Sequence, residues 1–273
     1  MSNTPPVALT IAGSDSGGGA GIQADIKAMS ALGVFATSAI TAITAQNTRG
    51  VSAVHAVPPA VVKAQIVAVL TDFDVRAIKT GMLFSAPIIA AVAEALGESR
   101  APLVLDPVMI ATSGDRLIED DAVSAMRALL FPRAALITPN LAEAAFLCGA
   151  AIAQTEAEML AQARSIIKSG ARAVLIKGGH GEGAESVDLL VSAREASRFA
   201  APRIATRNTH GTGCTLSAAI AAYLAQGMVL EAAVSAAKLY LTEAVLAAKD
   251  QRLGQGAGPV QHFHAFWNRK NAP

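Results

Sequence analysis

The amino-acid sequence predicts an α/β fold in which a mostly parallel β-sheet is covered by helices on both faces. Short apolar runs alternate with segments of helical character along the chain, a pattern typical of parallel sheets. Just over half of the 273 residues are apolar and only 16% are charged, so a large buried core forms easily. We find no linker, low-complexity tract or internal repeat, and therefore predict one domain over residues 1–273.

The first half of the chain contains strands separated by helices. Gly33 is placed to end the first helix and Pro58 to begin the second, the ends at which these residues are favoured. Strands are expected at Val7–Ala12, Phe35–Thr44, Ala77–Thr80 and Leu103–Asp106. Helices are expected at Ile22–Leu32, Pro58–Thr71, Pro87–Leu96 and near Glu119–Leu130.

The second half continues the alternation and ends in two alanine-rich helices. Strands are expected at Leu136–Thr138, Ala173–Lys177, Val187–Val191 and Glu195–Phe199, of which the last two can form an antiparallel pair at the sheet edge. Helices are expected at Leu141–Cys148, Glu156–Ser169 and about Thr212–Gln226 and Leu230–Ala248.

Composition and charge exclude several classes of protein. The net charge is +1 and the lysines and arginines are scattered, which argues against nucleic-acid binding. The two cysteines, Cys148 and Cys214, are far apart and match neither a metal site nor a redox pair. The N-terminus does not resemble a signal peptide, and no apolar run is long enough to span a membrane. We therefore expect a cytoplasmic protein that neither crosses a membrane nor binds nucleic acid.

Glycine and polar residues follow the predicted strands. In parallel sheets, ligands bind where the strands end, so these residues are expected to be neighbours at the carboxyl edge. They are Gly13–Gly21, Gln46, Gly81–Met82, Asp106, Asn140 and Lys177–Gly179.

The segment from Asn208 to Thr215 joins a glycine-rich turn to a strongly helical stretch. Backbone N–H groups without partners lie at the positive end of such a helix, which suits a phosphate or a developing phosphoryl charge. Cys214 falls in the first helical turn, where the thiolate is stabilised, so its pKa is expected to fall toward neutrality. The alternative is an ordinary glycine-rich helix start with a buried, inert cysteine.

The glycine-rich segment Gly13–Gly21 invites a nucleotide-binding interpretation. No Lys-Ser/Thr pair follows the glycines, so it is not a Walker A loop. The segment Gly19–Ala24 matches a dinucleotide fingerprint, but no acidic residue ends the second strand to bind a ribose. Asp15 and Asp25 are candidates for substrate binding; equally, they can be a cap and a solvated helix charge.

Eight segments, in order between about residues 7 and 220, together resemble the ribokinase-like vitamin kinases. The resemblance is greatest to the hydroxymethylpyrimidine/phosphomethylpyrimidine kinases of thiamine biosynthesis. The segments are Ala12–Asp25, Thr44–Thr48, Lys79–Met82, Leu105–Met109, Ala111–Gly114, Thr138–Glu143, Lys177–His180 and Thr209–Cys214.

The resemblance implies a three-layer α/β/α ribokinase-like fold, ATP and Mg²⁺ as cofactors, and a homodimer. The implied reaction transfers the γ-phosphate to the CH₂OH group of 4-amino-5-hydroxymethyl-2-methylpyrimidine. A second transfer then converts the monophosphate to the diphosphate. The small-molecule pyrimidine is thus the expected partner.

The resemblance also assigns catalytic residues. Gly211, Thr212 and Gly213 are implied to form the anion hole. Cys214 occupies the position of the catalytic aspartate in related sugar kinases, and a base with a pKa near the working pH is efficient.

Other polar residues are assigned to the metal and to ATP. Asn140 and Glu143 match the family's Mg²⁺ motif, and hard cations prefer such oxygen ligands; Glu143 alone would be explained as a first-turn helix carboxylate. The ATP-binding candidates are Lys177, Asp106, Thr209 and His210. Taken singly, Lys177 can be a solvated strand-end lysine, Asp106 a strand-end cap, and His210 a hydrogen-bonding neighbour of the site.

The pyrimidine side is assigned to five residues. Gln46 carries a primary amide, which both donates and accepts and so matches an aminopyrimidine edge. As alternatives, Gln46 is a polar loop residue and Met82 is plain core. The remaining candidates are Gly13, Val108 and Asp25, and Ala111–Gly114 corresponds to a flap over the substrate in relatives.

Two alternatives stay open. A pyridoxine/pyridoxal kinase of the same superfamily phosphorylates a similar ring, although the thiol often present in the flap of such enzymes is missing from 109–113. The other alternative is a non-catalytic regulatory protein that binds ligands on the same scaffold. The segment from Gly256 to His264 also matches the family, but its role is not evident from the sequence, and His262 and His264 do not form a convincing metal site.

Overall fold

The computed structural model describes residues 4–109, 121–179 and 183–267. The predicted flap Ala111–Gly114 and the glycine-loop residues His180 and Gly181 lie outside these ranges. None of the helices in the described residues has the length and apolarity needed to cross a membrane.

One nine-stranded sheet, counted over the described residues, forms the centre of the molecule, in the order β3-β2-β1-β4-β5-β6-β7-β8-β9. The six strands from β2 to β7 in that order pair in parallel, whereas β3, β8 and β9 are antiparallel at the two edges. The strands are β1 (Val7–Asp15), β2 (Phe35–Asn47), β3 (Gly50–Ala56), β4 (Val75–Thr80), β5 (Leu103–Leu105), β6 (Ala134–Ile137), β7 (Ala173–Lys177), β8 (Glu185–Ser192) and β9 (Ala196–Pro202).

Helices cover both faces of this sheet, which confirms the three-layer α/β/α fold. Alternate strand residues point to opposite faces. Leu9 and Ile11 of β1 therefore join the core beneath α2–α6, whereas Ala8 joins the core beneath α1, α7 and α8. The helices are α1 (Gly21–Ala31), α2 (Pro59–Asp72), α3 (Ala86–Leu96), α4 (Ala122–Leu129), α5 (Leu141–Cys148), α6 (Glu156–Ile167), α7 (Thr212–Ala225), α8 (Leu230–Ala248) and α9 (His264–Trp267).

Helix α7 has the most buried position among these helices. Its alanines, including Ala218, Ala219 and Ala221, are completely buried against the sheet and α8. Small side chains let the helix axis approach the strands closely, and the first turn of α7 is thereby fixed at the carboxyl edge of the sheet.

The predicted order of elements is confirmed, including the antiparallel pair β8–β9. The hairpin formed by β2 and β3 at the other edge of the sheet was not predicted. Strand β3 was not predicted because its side chains are mostly exposed and carry no apolar pattern. Strand β1 extends three residues beyond the predicted end, since Ser14 and Asp15 continue to pair with Ile43 and Thr44 of β2. The first glycine-rich loop therefore begins at Ser16 rather than at Gly13.

Candidate active site

A cavity of about 910 Å³ opens at the carboxyl edge of the sheet, beside the start of α7. The sequence predicted that residues following several strands would meet here, and most of them line this cavity. They are Gly13, Gln46, Met82, Asp106, Asn140, Lys177 and Gly179. Thr209, His210, Gly211, Thr212, Gly213 and Cys214 line it from the loop that precedes α7 and from its first turn.

The first turn of α7 has the geometry of an anion cradle. Gly211 is the N-cap residue with φ +79°, and no side chain caps the helix start. The first-turn N–H groups therefore have no intrahelical carbonyl to bind and lie at the positive end of the helix dipole. A side chain at Gly211 would overlap the carbonyl oxygen of Gly19, so this position requires glycine for space as well as for its backbone conformation.

Lys177 brings a positive charge to this cradle. Its Nζ lies 2.8 Å from Asp106 Oδ1, and a Cβ added at Gly213 would lie 3.1 Å from the same Nζ. Asp106 also accepts from Thr138 Oγ1 at 3.2 Å and from Ser217 Oγ at 3.0 Å. With its side chain only 12% exposed, Lys177 is not a solvated strand-end lysine.

The ionisation of this pair follows from its neighbours. Burial opposes the charge on Asp106, but Lys177 and Lys79 outweigh it and hold the pKa of Asp106 below its ordinary value. Burial likewise opposes the charge on Lys177, whereas Asp106 and Glu143 raise the Lys177 pKa overall. The carboxylate and the ammonium are therefore both charged across the neutral pH range.

Asn140 and Glu143 form a capping box at the start of α5. The Asn140 side chain accepts from the Glu143 backbone N–H at 2.8 Å, and the Glu143 carboxylate accepts from the Asn140 N–H at 2.8 Å. The alternative of a first-turn carboxylate is thus confirmed as the local role of Glu143. Burial raises its pKa to about 7, even though Lys177 lowers it.

A metal role for these residues remains a prediction. In the described part of the chain, no group of three or more His, Cys, Asp or Glu side chains is arranged to hold a metal ion. The donor set nevertheless fits Mg²⁺, which is usually held by one or two carboxylates together with water and substrate phosphates. A cation here would also offset the unfavourable burial of the Glu143 charge.

Cys214 contradicts one sequence-based prediction, that its pKa falls toward neutrality. The Gly21 backbone N–H, at the start of α1, donates to the thiol and lowers its pKa, as does the Lys79 ammonium. Burial is the largest effect, however, and with Asp25 and Asp106 it raises the Cys214 pKa to about 11. The position in the first helical turn is as predicted, but the surroundings of the thiol favour its protonated form.

Asp25 is a second correction, because its side chain is completely buried and is not exposed to the cavity. It binds Lys79 Nζ through both carboxylate oxygens, at 2.7 and 2.9 Å, and accepts from Thr10 Oγ1 at 2.5 Å. Neither a substrate contact nor the alternative of a solvated helix charge fits this environment. The helix periodicity in fact places Asp25 on the face of α1 that packs on the sheet.

Part of the cavity wall is apolar, where Met82 and Val108 line it. Ala42 and Met82 are buried together there, with Val51 and Val108 packed against them. A side chain at Gly13 would overlap the terminal methyl group of Met82, which would have to shift within the cavity wall to make room. Gln46 also lines the cavity, with its Oε1 accepting from Thr44 Oγ1 at 3.1 Å.

The family model for phosphomethylpyrimidine kinase matches residues 15–261. The chain belongs to this family. A hydroxymethylpyrimidine/phosphomethylpyrimidine kinase from Rhizobium meliloti is 58% identical over 96% of this chain and 98% of its own length. Two solved structures are also similar. The phosphomethylpyrimidine kinase from Clostridium difficile 630 is 43% identical over 88% of this chain and 99% of its own, with a TM-score of 0.77. The Bacillus subtilis pyridoxal kinase, solved with ADP, is 36% identical over 97% of this chain and 100% of its own, with a TM-score of 0.88.

Sequence reasoning left open the role of Asp15, which organises the first glycine-rich loop of this kinase. Its carboxylate accepts from the backbone N–H groups of Gly17, Gly19 and Ala20 at 2.8 to 3.0 Å. His210 Nε2 lies 2.8 Å from the same carboxylate and connects the loop to the start of α7. The pKa of Asp15 is lowered because these hydrogen bonds outweigh the burial that would raise it. An aspartate two residues before a glycine run, here Asp15 before Gly17–Gly19, is the sequence signal for such a loop.

The C-terminal segment, whose role the sequence did not reveal, holds the loop before α7. The His210 N–H donates to the Gly258 carbonyl at 3.0 Å, and Asn208 Nδ2 donates to the carbonyls of Ala248 and Gln251. His262 Nε2 is hydrogen-bonded at 3.0 Å to Oγ1 of Thr215, the residue that follows Cys214 in α7. The match of this segment to the family therefore has a structural explanation.

Proposed function

We propose that this kinase phosphorylates 4-amino-5-hydroxymethyl-2-methylpyrimidine with ATP and then phosphorylates the monophosphate to the diphosphate, in thiamine biosynthesis. The observation that carries the proposal is one cavity whose wall combines the apolar side chains of Met82 and Val108 and the primary amide of Gln46 with an anion cradle and a buried lysine. Family membership and the activity for which the Rhizobium meliloti relative is named support the same substrates.

In the proposed first reaction, the substrate oxygen attacks the γ-phosphorus while the bond to ADP breaks. The hydroxyl proton passes to the Cys214 thiolate, which becomes the thiol, in those molecules whose Cys214 is ionised. The N–H groups around Gly211–Gly213 and the Lys177 ammonium face the charge that develops on the transferred group, and such fixed donors cost no reorganisation. Because the Cys214 pKa is about 11 in the protein alone, few thiols are ionised at neutral pH, and stabilisation of charge carries much of the rate.

The second reaction differs in one respect. A phosphate monoester is already largely ionised near neutral pH, since its second pKa is about 6, so its oxygen can attack without a base. The Cys214→Ala variant is therefore expected to lose far more of the first phosphorylation than of the second. Equal losses in both reactions would remove Cys214 from the role of base.

ATP lies, in this proposal, along Lys177, Asp106, Thr209 and His210, with its base toward the apolar wall that includes Leu241 and Val245. Asn140 and Glu143 would hold Mg²⁺, which neutralises phosphate charge when bound. The ADP bound to the Bacillus subtilis relative supports the nucleotide. A cytoplasmic homodimer is proposed from the family resemblance, and the free thiols of both cysteines fit a reducing compartment.

A pyridoxal kinase is the second candidate, favoured by the TM-score of 0.88 to the Bacillus subtilis enzyme. A coupled ATP assay should compare hydroxymethylpyrimidine, its monophosphate and pyridoxal, with the products identified by mass. Turnover of both pyrimidines with little on pyridoxal is expected. Phosphorylation of pyridoxal alone would contradict the proposal. Binding of the pyrimidine without turnover would support the alternative of a non-catalytic regulatory protein.

A further inference from the structure

A buried ion pair, Lys79–Asp25, contributes Lys79 to the cavity wall and has no role in the reaction described above. Lys79 Nζ lies 2.9 Å from Asp25 Oδ1 and 2.7 Å from Asp25 Oδ2, and both side chains are 0% exposed. Gly81 leaves room for this ammonium, because a Cβ at that position would lie 2.8 Å from Nζ.

Stability alone does not explain such a pair. Removing two charges from water costs about as much as their attraction returns, and apolar residues of similar volume often serve equally well. Lys79 is placed on the central strand β4, where its neighbours Ala77 and Ile78 are the apolar residues that a parallel sheet normally buries. A charge at this depth therefore points to a role beyond packing.

The charged groups that influence the Cys214 thiol come from four elements. Lys79 on β4 and Lys177 on β7 supply positive charge, whereas Asp25 on α1 and Asp106 after β5 supply negative charge. The start of α1 adds the Gly21 N–H. Lys79 is also among the residues that line the same cavity as Cys214.

We propose that Lys79 is a positioning residue whose fixed positive charge in the wall of the Cys214 cavity favours the thiolate of Cys214, while Asp25 anchors the Lys79 ammonium. Two of the three N–H groups of the ammonium are directed to Asp25, which fixes the location of the charge. Lys79 and Cys214 line one cavity, and helix α7, which carries Cys214, packs against strand β4, which carries Lys79. The Lys79 charge lowers the thiol pKa against the burial that raises it. The catalytic consequence of this charge rests on the proposed function; the effect on the thiol does not.

The test measures the thiol directly, in a Cys148→Ser background that leaves Cys214 as the sole cysteine. The rate of alkylation by iodoacetamide is followed from about pH 7 to pH 10, because the thiolate is the reactive species. Lys79→Met is expected to slow alkylation about ten-fold at pH 8, equivalent to a thiol pKa about one unit higher. Lys238→Met is the matched control, since this buried lysine pairs with Asp188 instead and its removal should leave the alkylation profile unchanged.

A second variant keeps the inference testable where Lys79→Met does not fold, since that change leaves Asp25 buried without its partner. Asp25→Asn/Lys79→Met removes both charges and should slow alkylation, but less than ten-fold, because Lys79 affects the thiol more strongly than Asp25 does. An unchanged or faster alkylation in both variants would overturn the inference.

The pH dependence of kcat/KM for the first phosphorylation separates this inference from the proposed function. A slower alkylation accompanied by the same shift in the kinetic profile supports both. A slower alkylation with an unshifted kinetic profile still supports the charge effect of Lys79, and shows instead that Cys214 is not the base.

Discussion

Replacing Gly211 with alanine tests the anion cradle most directly. The φ of +79° costs an alanine about 1–2 kcal/mol, because L side chains clash in that conformation. The new Cβ would also overlap the Gly19 carbonyl oxygen, which must retreat by more than about 1 Å to reach ordinary contact distance. A displacement of that size near reacting groups can cost about 100-fold in rate. We therefore expect kcat to fall about 100-fold for both phosphorylations.

Gly33→Ala is the matched control for this change. Its φ of +77° imposes the same backbone cost, but nothing lies within 4 Å of the added Cβ. Both variants should lose a few degrees of melting temperature, at roughly 2–4 °C per kcal/mol for a chain of this size, and only Gly211→Ala should lose activity. The assays are initial rates and thermal unfolding. If folded Gly211→Ala turned over within about three-fold of wild type, the cradle would not be the site of charge stabilisation.

Three further predictions follow from the site. Gln46→Ala should raise the KM for the pyrimidine more than the KM for ATP, and equal effects in steady-state kinetics would remove Gln46 from the pyrimidine pocket. For the first phosphorylation, log kcat/KM should keep rising through pH 9, because the Cys214 pKa is about 11; a plateau near neutral pH would contradict Cys214 as the base. Asp15→Asn should lower the free energy of unfolding by on the order of 2 kcal/mol at pH 7, since four hydrogen bonds to the carboxylate are disturbed. The Asp15 pKa is lowered on folding, so this stabilisation is present above its usual pKa of 3.8. It is lost as pH falls through the folded value, and denaturant titrations of the two proteins should then converge.

The order of strands and helices was predictable because most elements of this chain bury an apolar face. Exposed structure was harder to predict. Strand β3 carries mostly solvent-facing side chains, and its pairing to β2 depends on backbone hydrogen bonds that leave no pattern in the sequence. The same reason applies to Ser14 and Asp15, whose polar side chains gave no indication that β1 continues.

The site was predictable where its chemistry depends on backbone position, and less so where it depends on burial. Gly211 and Cys214 lie where the helix start places them, whichever side chains surround them. The protonation of Cys214 instead depends on Lys79, Asp25 and Asp106, which come from other elements of the fold. A sequence gives the local effect of a helix dipole, but not the depth of burial or the charges that the fold brings to the thiol.

Burial of charge in this protein is concentrated at one place. Three lysine–aspartate pairs are at most 12% exposed, and each contributes at least one residue to the same cavity wall. The lysine and arginine ion pairs elsewhere in the described residues have side chains that are more than 40% exposed. The buried pairs are Lys79–Asp25, Lys177–Asp106 and Lys238–Asp188.

Such pairs are a poor means of stabilising a fold, since their desolvation offsets their attraction, yet removing one partner costs about 3–5 kcal/mol. Their value lies in holding charge in a fixed position inside a medium of low dielectric constant, where each charge acts more strongly on its neighbours. A site that binds phosphate groups and moves a proton needs several such charges within a short distance. The sheet can provide them because strands β4, β7 and β8 and the end of β5 each deliver one residue, while α1 and α8 supply Asp25 and Lys238. The aspartate partners prevent the lysines from repelling one another or losing their protons.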